Sequence, residues 1–254
     1  MSTRTVHRNL VSDTLLVASR ELKPVLSDPF SLVFGLVQPL FFLLLFGPLL
    51  HSESGYSWEW FVPGVLVMIS LFGTAGAGSN LQMDLVSGTH ERLLVTPLAR
   101  PALFLGKSLK EFAPLIAQAV VIIIVMLPFG FRPHPVGALL GLLLLGVVGL
   151  GIGSLSYALA LAVRSKDWMF WTVHQTLLFP LMILSGMLLP LDAAPAWMRV
   201  LSTANPLTHV VNAERDLFTG HLTSDDVGWG LLAALITAGI GVLVGLRTLT
   251  NSTR

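Results

Sequence analysis

The chain is 254 residues long, 54% hydrophobic and only 11% charged, where an average soluble domain carries roughly a quarter charged residues. So little polar surface cannot cover a soluble globule, and fifteen basic against fourteen acidic side chains, a net charge of +1, offer no basic face to nucleic acid. Cysteine is absent, which excludes a disulfide framework and a thiolate metal site.

The first 29 residues or so are polar, without the early apolar core of a cleavable signal peptide, so the segment is expected to be retained. Residues 4 to 23 predict an amphipathic helix: Val11, Leu15, Ala18 and Leu22 recur at i, i+4, i+7 and i+11, while Arg8, Ser12, Ser19 and Lys23 gather to one side. Such a helix can lie in the headgroup layer or stand in solvent. Pro24 and then Asp28-Pro29 are expected to stop it.

Six apolar runs follow, at about 30–50, 61–82, 109–131, 136–163, 169–191 and 227–246. Each reaches the ~20 residues needed to cross ~30 Å of hydrocarbon. An even number of spans puts both termini on one side. Twelve of the fifteen Lys and Arg fall on that side, leaving only Arg132, Arg199 and Arg215 on the other, while the acids divide seven and seven. Lys and Arg, not acids, report orientation, so both termini and the connection between spans two and three should be cytoplasmic. Tyr56, Trp58, Trp60 and Phe61 form an aromatic belt at the start of span two. Glycine pairs four apart, Gly137 with Gly141, Gly149 with Gly153 and Gly241 with Gly245, predict close helix packing, as do Gly73, Gly76 and Gly78.

The outer connection 192–226 predicts two short helices. Asp192 and Pro195 open one, with Trp197, Val200, Leu201 and Ala204 on a face. Asn205-Pro206 caps the second, whose stripe is Leu207, Val210, Val211, Leu217 and Phe218 and whose stop is Gly220. Together they suggest a re-entrant hairpin. Glu214 falls in that stripe, either as a functional carboxylate or in an ion pair with Arg215 or Arg199. Gln38, Asn80, Gln118, His174 and Gln175 are the polar exceptions within the spans. Such groups serve as hydrogen-bonding glue or as substrate contacts, and His174 alone among them could change charge near neutral pH.

Two chemical motifs fail on spacing. Gly106-Lys107-Ser108 ends like a phosphate loop, but position 101 is Pro where that loop needs Gly. His90-Glu91 lacks a second histidine, because position 94 is Leu. No catalytic site, bound cofactor or metal is expected.

Ser87-Gly88-Thr89-His90-Glu91-Arg92-Leu93-Leu94-Val95-Thr96-Pro97 is a polar island between spans two and three. Ser87 or Thr89 can cap it, Glu91 suits a first turn, and Pro97 limits it to about two turns. This stretch resembles the cytoplasmic loop of type-2 ABC exporter permeases, especially the daunorubicin-resistance type. Pro39 with Leu44-Leu45-Phe46-Gly47, and Ser185-Gly186 with Pro190, Pro195, Trp197 and Asn205-Pro206-Leu207-Thr208, agree with it in order.

The resemblance implies an all-α integral membrane protein of six transmembrane helices, with residues 1–29 as an N-terminal amphipathic interfacial helix and 30–254 as a single transmembrane domain. It implies a cytoplasmic coupling helix at about 87–97 and a re-entrant outer helical hairpin at about 192–226. It also implies pairing with a second permease, as homo- or heterodimer, and with two copies of a cytoplasmic ABC ATPase that bind the ATP and Mg. Gly88, Thr89, Glu91, Arg92, Leu93, Leu94, Thr96 and Pro97 would carry ATPase coupling, with His90 departing from the pattern. Asn80, Gln118, His174, Gln175 and Glu214 are the candidates for a substrate path or gate. The expected activity is export of an amphipathic drug, antibiotic or lipid across a bacterial inner (plasma) membrane. Export of a lipid-linked polysaccharide or cell-wall polymer, and an ATPase-independent carrier or membrane enzyme, are the competing readings.

Overall fold

A computed structural model describes residues 10–27, 29–53, 57–86, 100–163, 166–192 and 194–251. The predicted coupling helix, residues 87–97, lies outside the described residues, as does Tyr56. Among the described residues there is no strand. Among the described residues four helices are long and apolar enough to cross a membrane, namely Trp58–Met83, Leu105–Phe129, Pro135–Val163 and Asp225–Thr248, and two shorter apolar helices occupy Val33–Leu49 and Trp168–Leu184.

Helix α1 (Leu10–Ser27) runs through Pro24 rather than stopping there. One proline removes one backbone hydrogen bond, and the last turn is held by Ser27 Oγ, which donates to the Lys23 carbonyl at 2.9 Å. The helix has a second apolar side beyond the predicted stripe. Val17, outside that stripe, is buried against Gly106, and of the stripe Ala18 is buried while Val11 and Leu15 face outward.

Helices α2 (Pro29–Glu53), α3 (Trp58–Ala75) and α4 (Ala77–Val86) follow. Span two is therefore two helices meeting at Gly76. Span three is also divided, into α5 (Arg100–Lys110) and α6 (Phe112–Met126). Gly106, Lys107 and Ser108 lie inside α5, with Lys107 and Ser108 buried, so the residues that mimic a phosphate loop are helix.

Helix α7 (Pro135–Val163) is unbroken over 29 residues and packs most extensively on α11 (Asp225–Asn251). The predicted glycine stripes divide among three partners. A Cβ at Gly137 or Gly141 would run into Leu217 or Glu214 of α10; one at Gly149 would touch Thr74 of α3 at 3.0 Å. Gly151, between the predicted pairs, makes the α11 contact: a Cβ there would lie 2.7 Å from the Ala238 nitrogen, and one at Gly241 would meet the Gly151 carbonyl. Close backbone approach is what small residues permit between membrane helices.

Helix α8 (Asp167–Leu184) is shorter than the predicted span 169–191. Gly186 takes a left-handed φ of 68° and ends it. Two short helices then form as expected, α9 (Ala196–Ala204) and α10 (Pro206–Thr219). Asn205 Oδ1 accepts from the Leu207 N–H at 3.1 Å while its Nδ2 donates to the Leu181 carbonyl at 2.8 Å. One side chain thus caps α10 and ties it to α8. The α10 stripe is fully buried, and Gly220 closes the helix at φ 93°. On α9, by contrast, Trp197, Val200 and Leu201 point outward.

Candidate functional site: a polar seam with broken helices

Three helix-breaking positions, Pro39, Gly76 and Pro114, lie around one region, although α2 continues through Pro39. In α2, Pro39 has no N–H for the Gly35 carbonyl; in α6, Pro114 has none for the Lys110 carbonyl. Between α3 and α4 the chain turns at Gly76, whose carbonyl accepts from the Ser79 N–H at 3.0 Å and the Ser79 hydroxyl at 2.7 Å. These breaks border two adjoining cavities of about 270 and 170 Å³ that share Gly73 and Gln118. Irregular backbone at membrane depth is tolerated where it is buried in protein or lines a cavity.

Asn80 and Gln118 line the larger cavity together with Lys110 and Glu111, and Gln38 lines the smaller. Gly35 leaves the room that the Gln118 amide fills, since a Cβ there would collide with it. Lys110 and Glu111 belong to a charged cluster. Lys110 Nζ is 3.8 Å from Glu21 of α1 and 3.7 Å from Glu111. The Tyr157 hydroxyl of α7 is 3.1 Å from both Glu111 Oε1 and the Lys107 carbonyl. Pairing and hydrogen bonds of this kind offset part of the desolvation cost of buried charges. The arrangement offers hydrogen-bond donors and acceptors along a slot walled by apolar helix surface. It can grip a polar group on an otherwise apolar molecule.

A family model described as ABC-2 type transporter matches residues 13–219. The chain belongs to that family. It is similar to a daunorubicin resistance ABC transporter permease protein of Streptomyces coeruleorubidus, 27% identical over 246 residues, 93% of this chain and 84% of that protein. A protein named as a transport permease in Cyanophora paradoxa is 29% identical over 75% of this chain and 69% of its own length. One named as a multidrug ABC transporter permease in Escherichia coli K12 is 24% identical over 72% of this chain and 50% of its own length. ABC-2 permeases are membrane-spanning transport subunits and not enzymes, and ATP hydrolysis belongs to a separate chain.

Of the five polar residues singled out in the permease sequence, the structure brings Asn80 and Gln118 together and leaves three elsewhere. His174 is buried on α8, its ring stacked on Phe170 at 5.6 Å. Gln175, the next residue, is exposed. Glu214 is wholly buried on α10, facing Gly141 and Phe218, and among the described residues its carboxyl oxygens have no hydrogen-bond partner. Burial pushes that carboxyl up to about 8, because desolvation disfavours the charged form.

The alternative for Glu214, an ion pair with Arg215 or Arg199, is not formed among the described residues. Arg215 turns the other way, donating to the Trp60 carbonyl at 3.0 Å and the Gly186 carbonyl at 2.8 Å, with its guanidinium 3.8 Å over the Trp60 ring. It pins the α9–α10 hairpin to the start of α3. Lys110, Glu111 and Tyr157 are the site residues that sequence reasoning missed. Lys110 counts there as a connection charge and Tyr157 as one apolar residue among many. The available signal is the pair Lys110-Glu111 at the head of an apolar run, since ionisable groups entering a span mark function.

Proposed function

We propose that this ABC-2 permease is the transmembrane half of an ATP-driven exporter that moves an amphipathic small molecule, a drug, antibiotic or lipid, out of the cytoplasm or inner leaflet. The observation that carries the reading is the seam, where Pro39, Gly76 and Pro114 and the polar side chains of Asn80 and Gln118 border adjoining cavities. Breaks are where helices can change direction, and Asn80 and Gln118 supply contacts for a polar group while the flanking helices accept an apolar body. The names of the relatives in Streptomyces and Escherichia coli support a drug-like cargo.

In this reading the chain crosses the membrane six times as one domain, residues 30–254, with α1 on the inner surface, both termini cytoplasmic and α9–α10 re-entering from outside. The excess of Lys and Arg on the terminal side supports that orientation. A second permease and two ATPase chains complete the assembly. Residues 87–97 act as a short lever seated in the ATPase, with Leu93 and Leu94 as apolar knob and Glu91 and Arg92 as polar fixing points. ATP-driven closure of the partner moves the lever, and with it α4 and α5, which border the seam.

The test is reconstitution of the permease with its ATPase in inside-out vesicles, measuring nucleotide-dependent uptake of an amphipathic fluorescent drug. Glu91→Ala with Leu94→Ala is expected to abolish uptake and its stimulation of ATP hydrolysis. Unchanged coupling in that variant, or uptake by the permease alone, overturns the reading.

A further inference from the structure

A cavity of about 470 Å³ lies outside the seam and is almost entirely apolar. Its size is ordinary for a small-molecule site, ~300–1,000 Å³. Three helices each give it one face. On α7 these are Ile152, Ser156 and Leu159, at i, i+4 and i+7; on α8 His174, Leu178 and Leu181, likewise; on α11 Thr237, Val244 and Thr248, at i, i+7 and i+11. The groove therefore runs parallel to the helices.

Its length is informative. Thr237 and Thr248 are eleven residues apart, ~16 Å at a rise of ~1.5 Å per residue, which is half of the ~30 Å hydrocarbon thickness. One end is closed by Pro206 and Leu207 of α10 over the buried Leu71. The other opens where α7 and α11 end, near the exposed Arg247 and Lys166. Along its side, Leu155, Leu177 and Val244 are 37%, 58% and 40% exposed, so the groove communicates with whatever surrounds the bundle. In a membrane-spanning permease that surrounding is lipid.

We infer that the α7–α8–α11 groove holds one acyl chain of a membrane phospholipid, with its headgroup at the Arg247 end and its methyl end against Leu207 and Leu71. A groove one leaflet long, blind at mid-membrane and open at a basic rim, has the dimensions and charge of one such chain. Basic residues at a membrane surface attract anionic headgroups. Bound there, the lipid would lean on the Asn205–Leu207 cap of α10 and brace the hairpin against α8, a structural role separate from the export proposed for the seam.

The experiment places the full-length permease in vesicles of phosphatidylethanolamine and phosphatidylglycerol doped with a phospholipid carrying a diazirine midway along one acyl chain. After photolysis, adducts are mapped by mass spectrometry. They are expected to concentrate on Leu155, Leu177 and Val244 and to be sparse on Leu139 and Leu235, which are more than half exposed but lie off the groove. Ala162→Phe, at the open mouth, is expected to lower groove adducts about tenfold, the equivalent of losing roughly two buried methylenes at ~0.8 kcal/mol each, whereas Leu139→Phe leaves them unchanged. The wild-type map decides the matter even if Ala162→Phe folds poorly. Adducts spread evenly over all exposed apolar residues overturn the assignment, as does their displacement by a transported drug. So does a second copy filling the groove, seen as Leu177→Cys to Val244→Cys cross-links between chains of this cysteine-free protein in place of lipid adducts.

Discussion

Gly137, Gly141 and Gly151 of α7 and Gly230 and Gly241 of α11 stand where helices touch, whereas Pro39 of α2, Gly76 between α3 and α4, and Pro114 of α6 stand where helices part. Gly137, Gly141 and Gly151 each lie against a neighbouring element so closely that a methyl group would not fit. Pro39, Gly76 and Pro114 instead border cavities beside Asn80, Gln118 and Glu111. Lipid supplies no hydrophobic drive between helices, so association rests on contact and hydrogen bonding. The first group makes contact at maximal density and is suited to staying put. The second gives up backbone hydrogen bonds and must recover them from side chains, an arrangement that can change with modest cost. Scaffold and moving part are thus distinguished by what is done with the same helix-breaking residues.

The sharpest way to break this contrast is within one helix. Gly241→Ala is expected to destabilise by about 3 kcal/mol, the upper range for overpacking, because its new methyl meets the Gly151 carbonyl and a backbone has no rotamer to change. Two residues earlier, Gly239 has nothing within 4 Å of an added Cβ. Gly239→Ala should therefore stabilise by about 0.5–1 kcal/mol through helix propensity. Thermal midpoints of the two variants in detergent decide it, and equal shifts would show that α11 does not pack on α7 by glycine contact.

The scaffold contains one misfit, Glu214. Glu214→Leu is expected to raise stability by about 2 kcal/mol, since an apolar group of similar volume removes an unsatisfied buried carboxyl. The effect carries a pH signature. The folded-state value is raised from 4.5 to about 8, so between those values the folded protein holds a proton that the unfolded chain has released. Stability therefore falls as pH rises through that window. Wild type should lose thermal stability from pH 5 to pH 8 and Glu214→Leu should not; parallel profiles would mean that a partner shelters the carboxylate.

Much of this scaffold was legible in the sequence, because its signals are local. Asn205-Pro206 and Gly220 bound α10 where they stand, and the stripe Leu207, Val210, Val211, Leu217 and Phe218 buries as a unit. The seam was half legible. Asn80 and Gln118 stand out as polar residues in apolar runs, but their meeting depends on how α4 and α6 lie together in space. Lys110, Glu21 and Tyr157 come from three helices, so no periodicity could join them. Arg215 carried the opposite lesson: adjacency to Glu214 suggested a pair, yet neighbours on a helix point about 100° apart, and Arg215 found Trp60 instead.

The smallest expected effect bears on the seam itself. Asn80 is exposed and Gln118 half-buried, so Asn80→Ala and Gln118→Ala should each change stability by no more than about 0.5 kcal/mol. If both grip the same polar group of a cargo, each should lower the transport efficiency about tenfold, or ~1.4 kcal/mol. The double variant should lose less than the sum, because residues sharing one partner are not additive. Vesicle uptake measured beside thermal midpoints separates the outcomes. Transport losses that add fully would place the two side chains on separate contacts, and stability losses with transport intact would make the seam glue rather than path, which would erase the division between the two regions.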